Sequence, residues 1–281
     1  ADLGPNRALL ERVAGIDSRR PLPEFQRETL RDWANGRDTS VDDPVREVAL
    51  YPDLYTNYVD VERGKAAVKA LNALGVDVVV PKAGSSGRAP LSQGMIDTAR
   101  EKADAAYRAL ASYVEVGRDV VVVEPSDLAM FRNDYANLHP EAHETLSEDS
   151  YEIMEYLYGL IENGADPTAL VGPTEANREV AYHSHCQQRT LGLEPQTVAV
   201  LERLGYDVVT SEVECCGMAG SFGYKEEYYE LSMDVGERLE NQDGFGDSDR
   251  TVVASGTSCL DQLDDLLKRP SRHPVELIAP N

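Results

Sequence analysis

Cysteine, lysine and long apolar runs are all scarce in this chain. Its 281 residues include four cysteines, too few for the disulfide framework that staples small secreted domains. Lysine stands only at positions 65, 69, 82, 102, 225 and 268, so arginine carries most of the positive charge. The chain contains no apolar stretch of the roughly 18 residues that a membrane-spanning helix needs, so no transmembrane segment is expected. A charged-then-apolar leader is also missing, so no signal peptide is expected. The first residue is Ala1 rather than Met, which fits either processing or a longer parent polypeptide.

What the chain has in excess is acid. Fifty Asp and Glu residues face 27 Lys and Arg, a net charge of −23. Such a surface repels nucleic acid and anionic lipid, so neither is expected as a partner. It suits an acidic cytoplasmic protein. It suits still better one adapted to high salt, where screening confines self-repulsion to about 3 Å at 1 M. The expected location is cytoplasmic, with any contact to the inner face of a membrane made through a partner.

The pattern of apolar residues predicts an α/β protein of two pseudo-repeated lobes with mostly parallel sheets. Residues 1–44 read as an N-terminal arm or linker, with a short helix over 7–14 and polar, proline-punctuated sequence after it. Residues 45–150 read as a first lobe: strands at 48–51, 76–80 and 120–123, with helices at 63–74, 92–116 and from Pro125 onward. Residues 137–177 read as a helical connector. Residues 151–281 form the second lobe, with strands at 180–182, 206–210 and 251–254 and helices at 198–204, 224–239 and 258–267. Residues 241–250 read as a solvated acidic loop.

The two lobes repeat each other. Leu74-Gly75-Val76-Asp77-Val78-Val79 matches Leu204-Gly205-Tyr206-Asp207-Val208-Val209 at an offset of 130, and the same offset lays Ser85-Ser86-Gly87 on Cys215-Cys216-Gly217. Ser126-Asp127-Leu128 falls on Ser258-Cys259-Leu260 at 132, and Tyr55 on Cys186 at 131. Every cysteine thus has a counterpart in the first lobe, and no counterpart is cysteine. The four behave as a set, with the site kept in one lobe and only the scaffold in the other.

Each cysteine follows a predicted strand, where an α/β layer gathers its ligands. Twenty-eight residues separate Cys186 from Cys215, and 42 separate Cys216 from Cys259. Three loops would therefore aim four sulfurs at one point. Gly217, Gly220 and Gly223 would let backbone amides approach those sulfurs. Four thiolates suit zinc or iron–sulfur. Adjacent cysteines diverge and chelate one small ion poorly, whereas a multi-iron cluster offers separate iron atoms. The expectation is an iron–sulfur cluster, of the 4Fe-4S kind, on Cys186, Cys215, Cys216 and Cys259. A mononuclear zinc or iron site using His183 or His185, a redox dithiol and an inert buried pair remain as alternatives. Both histidines read first as hydrogen-bonding supports to the ligands, and His185 joins the cofactor-binding set with the three glycines.

The loop Cys215-Cys216-Gly217-Met218-Ala219-Gly220-Ser221-Phe222-Gly223-Tyr224, with Cys186 before it and Ser258-Cys259 after it, resembles the cysteine-rich CCG domain. That domain occurs in heterodisulfide reductase and in the iron–sulfur subunits of glycolate oxidase and anaerobic glycerol-3-phosphate dehydrogenase. Thr56-Asn57-Tyr58 and His273-Pro274-Val275-Glu276-Leu277 resemble the branch in which an FAD-linked oxidase, a ferredoxin-like module and a CCG module are fused. The likeness runs from about residue 45 onward. It implies an electron-transfer module of a flavin-linked 2-hydroxy acid dehydrogenase, with D-lactate, glycolate or D-2-hydroxyglutarate as substrate. FAD would sit on a missing segment or a partner flavoprotein, and the cysteines would be ligands with no catalytic residue of their own. It also leaves open direct thiol–disulfide chemistry of the heterodisulfide reductase kind. The chain departs from the family at Gln262, where a Cys-x-x-Cys motif would end, at Ser85-Ser86, and at Asp127.

Overall fold

The computed structural model describes residues 14–37, 40–174, 177–246 and 249–281. The expected helix at 7–14 lies outside the described residues except for Ala14.

Short strands, four of them rich in valine, pair into two parallel sheets. In the first, β1 (Arg46–Leu50), β2 (Val76–Val79), β3 (Asp119–Val122) and β4 (Ser150–Glu152) lie in the order β2-β1-β3-β4. In the second, β5 (Glu179–His183), β6 (Asp207–Thr210) and β7 (Thr251–Ala254) lie in the order β6-β5-β7. Among the described residues all the ladders are parallel. Helices make the crossovers, which parallel pairing requires. The Val61–Ala73 helix joins β1 to β2, and the Glu194–Arg203 helix joins β5 to β6.

The register makes the repeat physical. Val48 pairs with Val78 and Asp119, and Val180 pairs with Val208 and Thr251. The central strands are therefore related by 132 residues, the first edge strands by 130 and the next by 132. Gly75 and Gly205 leave the preceding helices at φ of +81° and +97°, the left-handed conformation that glycine adopts without penalty.

Several expectations need correction. The helix expected over 92–116 is two, Arg88–Ser92 and Ile96–Glu115, separated at Gly94 with φ of +74°. The connector holds a fourth strand, β4, and the expected boundary at residue 150 falls on its first residue. The stretch read as linker is packed at two places among its described residues. Arg20 is fully buried against the second lobe, while Leu30 and Trp33, on a helix capped by Thr29, are buried in the core beside Val61 and Val68. The solvated loop at 241–250 hides Phe245, fully buried beside Ala181, Val252 and Leu263.

The main core crosses the lobes. Leu50, Val121 and Leu157 share one apolar cluster with Val180, Leu201 and Val253. Fully burying a Val or Leu side chain contributes about 1.5–3 kcal/mol, so this shared cluster ties the two sheets into one folding unit.

Candidate metal centre

The C-terminal ends of β5, β6 and β7 assemble the site. His183 is the last residue of β5. Cys186 opens the Cys186–Thr190 helix, whose N-cap is His185, and Nδ1 of His185 accepts the Gln187 amide at 3.1 Å. Cys215 and Cys216 lie in the loop after β6. Cys259 sits in the first turn of the Thr257–Leu267 helix that follows β7.

A ring nitrogen of His183 and the sulfurs of Cys216 and Cys259 all lie within 4.8 Å of one another, and all three residues are buried. Cys216 and Cys259 perturb each other in opposite directions. A hydrogen bond from Cys259 pulls the Cys216 thiol well below its ordinary range, with His183 helping, and the same bond pushes Cys259 well above it. Cys186 is exposed as a residue, yet burial of its thiol raises its pKa, and the nearby Cys216 and Cys215 raise it further. Cys259 also feels Cys186. The four thiols thus share one electrostatic neighbourhood, but the tightest group is His183, Cys216 and Cys259. His183 stands inside it, while His185, favoured by the sequence, serves as a helix cap with its Nε2 3.9 Å from Glu124 Oε1.

The glycines divide by role. The Gly217 amide donates to Cys215 Sγ at 3.4 Å. Its φ is +93°, and a Cβ there would stand 2.3 Å from the Ser232 carbonyl oxygen. A Cβ at Gly223 would meet Ser232 Oγ at 2.5 Å and Met218 Sδ at 2.8 Å, so Gly223 is a packing position. Gly220, at φ of +64°, has nothing within 4 Å of its Cβ position. Gln262, in place of a second family cysteine, is fully buried and donates through Nε2 to the Ser232 carbonyl at 2.9 Å. It ties the Tyr229–Glu240 and Thr257–Leu267 helices together.

Sequence reasoning missed the contribution of the first lobe. The Thr257–Leu267 helix starts at Gly256, which has no capping side chain. Glu124 supplies one from across the molecule, its Oε2 accepting the Thr257 amide at 2.9 Å, and Arg63 donates to Thr257 Oγ1 at 3.0 Å. Burial alone would raise the Glu124 carboxyl. His185 and the Thr257 amide overcome that and hold it below the ordinary range. Burial in turn lowers the His185 imidazole against the pull of Glu124. The only signal in the sequence was Glu124-Pro125 at a helix start.

The equivalent positions of the first lobe are closed. Strand register places Tyr51 on His183 and Leu54, not Tyr55, on Cys186, because the central strands differ by 132. Tyr51 Oη donates to the Gly84 carbonyl at 2.7 Å, Ser86 donates to Asp127, and Tyr135 Oη donates to the Ser86 carbonyl at 2.8 Å. Gly87 holds φ of +94°, beside +93° at Gly217. Burial, and then Asp53, push Asp127 up, and burial pushes Asp53 up to about 6. The backbone is preserved, while the soft donors are replaced by a hydroxyl and a carboxyl bonded to each other.

Comparison with known proteins agrees with this geometry. Residues 180–264 match the CCG cysteine-rich domain. The chain is 27% identical over 281 aligned residues to a subunit of the anaerobic glycerol-3-phosphate dehydrogenase of Escherichia coli K12, covering 99% of this chain and 69% of that protein. It is 24% identical over 238 residues to the D-2-hydroxyglutarate dehydrogenase of the same organism, covering 83% of this chain and 22% of that protein. The corresponding enzyme of Pseudomonas putida is 23% identical over 238 residues, with the same coverage of 83% and 22%.

Proposed function

We propose, for a chain whose residues 180–264 are a CCG cysteine-rich domain, that it is the iron–sulfur electron-transfer module of a flavin-linked dehydrogenase. The observation that carries this reading is the buried group of His183, Cys216 and Cys259 at three strand ends, with Cys186 in electrostatic contact with it. Cys186, Cys215, Cys216 and Cys259 would hold the cluster, of 4Fe-4S type, with the Gly217 amide donating to sulfur. The donor set fits: soft sulfurs suit iron–sulfur centres, one sulfur already accepts an amide, and Nε2 of His183 is buried without a hydrogen-bond partner. A bound cluster would supply one-electron storage. The protein's own part is to seat it at the strand ends and wall it with Glu124 and Gln262.

The flavin would belong to another segment or a partner protein, alongside a ferredoxin-like module. The relatives' names, one acting on glycerol-3-phosphate and one on D-2-hydroxyglutarate, favour a small hydroxylated carboxylate or phosphate substrate for the whole assembly. Within that class D-lactate, glycolate and D-2-hydroxyglutarate are the first substrates to test. Residues 45–150 would be the lobe that lost its site and residues 151–281 the lobe that kept it. Among the described residues no helix is long and apolar enough to cross a membrane. Any attachment to one would run through the partner. The acidic surface would be an adaptation to high salt.

Anaerobic purification followed by iron, zinc and acid-labile sulfide analysis tests the reading. Iron and sulfide in equal amounts with a brown visible absorbance are expected. Stoichiometric zinc without sulfide would replace the cluster with a mononuclear site. A second reading, thiol–disulfide exchange, draws on the closeness of the Cys216 and Cys259 sulfurs, within 4.8 Å of one another, and on the lowered Cys216 thiol. It requires turnover of a small disulfide by the chain and a reductant, and background rates would dismiss it.

A further inference from the structure

We infer that His183 is itself a metal ligand, so that the centre carries one imidazole nitrogen in place of one of the four thiolates. The inference rests on the metal-centre reading above and concerns which atoms of this chain complete it.

The hydrogen bonds of Ser211 admit the His183 tautomer that a metal ligand requires. Arg189 Nη2 can only donate, and it donates to Ser211 Oγ at 3.0 Å. Nδ1 of His183 lies 2.7 Å from the same hydroxyl, which has a second lone pair free to accept from it. In the tautomer with the proton on Nδ1, Nε2 carries the lone pair that a metal needs. Nε2 is buried with no hydrogen-bond partner, and the ring is fully enclosed, within 4.8 Å of two sulfurs. An unpaired acceptor in such a place is costly to leave unsatisfied. A metal ion satisfies it.

Metal-bound histidines are commonly held in this way, with the second nitrogen donating to a fixed oxygen that sets the tautomer and ring angle. Arg189 strengthens the arrangement by also donating to the Ser211 carbonyl at 2.6 Å, which locks the residue that positions the imidazole. The first lobe provides the contrast. Tyr51 occupies the position of His183, and its polar atom is satisfied by a carbonyl in the same lobe. One lobe finishes its strand ends with internal hydrogen bonds, and the other leaves a nitrogen and two sulfurs facing one another.

The test uses the full chain, purified without oxygen and labelled with ¹⁵N-histidine. If the metal is iron, electron–nuclear double resonance on the reduced centre reads directly bound nitrogen. If it is zinc, X-ray absorption at the zinc edge reads imidazole scattering. A nitrogen signal in the wild type that disappears in His183→Gln supports the inference. A loaded wild type with no such signal, or a signal that survives in His183→Gln, overturns it and leaves the metal-centre reading intact. Nitrogen-bound zinc without sulfide overturns the iron–sulfur reading and leaves His183 a ligand. A chain that retains neither metal after reconstitution overturns both. Should His183→Gln fail to fold, Ser211→Ala keeps the ring and removes only its hold. That variant is expected to bind metal about 10-fold or more weakly, and unchanged retention would overturn the inference. With iron, His183→Cys is further expected to lower the reduction potential, because imidazole ligation raises it relative to thiolate.

Discussion

Replacing Gly217 and Gly220 by alanine separates two causes that the sequence alone merges. Both residues have positive φ, +93° and +64°, and an alanine held there costs about 1–2 kcal/mol. At Gly220 that is the whole cost, since its Cβ would enter open space. At Gly217 the new carbon would stand 2.3 Å from the Ser232 carbonyl oxygen and 3.2 Å from both the Gly236 amide and Gln262 Nε2. The nearest atoms are backbone of the packed Tyr229–Glu240 helix, so they cannot swing aside. Overpacking of this kind adds about 1–3 kcal/mol. Gly220→Ala should therefore lower stability by about 1 kcal/mol and Gly217→Ala by about 3 kcal/mol. With about 2–4 °C of melting temperature per kcal/mol for a chain somewhat smaller than this one, the variants should differ by about 4–8 °C in calorimetry on metal-free protein. Equal losses would refute the packing argument and leave backbone conformation as the only cost.

Three further outcomes are expected. Arg20→Met removes the bonds to Gly223, Ser232 and Asp265. Breaking a buried pair costs about 3–5 kcal/mol, and because Asp265 keeps Lys268 at 2.7 Å the loss should lie near 3. Adding Asp265→Asn should restore part of it, and a double variant no more stable than the single would contradict the assignment. Glu152 is fully buried, with Oε1 unpartnered, and burial pushes its carboxyl up to about 8. Its contribution is complete below the unfolded value of about 4.3 and is lost as pH rises through 8. Stability should thus fall by at most about 1.4 kcal/mol per pH unit across that window, relative to Glu152→Gln, in urea titrations at several pH values. Parallel curves for the two proteins would count against a buried neutral acid. Finally, with a net charge of −23, the melting temperature should climb between about 0.1 and 1 M KCl as the screening length falls from about 10 to 3 Å. A flat or falling response would rule out adaptation to salt.

The sequence disclosed six of the seven described strands because each is a short apolar run before a loop. It also disclosed the repeat, because Leu-Gly-x-Asp-Val-Val survives in both copies. The cysteine set was legible from spacing and from the counterparts in the first lobe. What stayed hidden is long-range. β4 is Ser150-Tyr151-Glu152, three residues whose inward positions are polar, so no apolar alternation marks it. Leu30 and Trp33 sit on a six-residue helix inside polar, proline-marked sequence, and only tertiary packing shows them to be core. His183 and His185 are alike in local sequence. A short step along the strand end, and a serine 28 positions away, decide which of them faces the sulfurs. Tyr55 was matched to Cys186 by a sequence offset that the strand ladder shifts by one.

The start of the Thr257–Leu267 helix depends on donors and acceptors that belong to the opposite lobe. Cutting the chain at residue 178 to harvest the cysteine-bearing portion would strand the Thr257 amide, bare the apolar faces of Val180 and Leu201, and loosen the very turn that presents Cys259. Anyone grafting this centre onto another scaffold must transplant the silent copy too, for it has become the mould in which its twin is set.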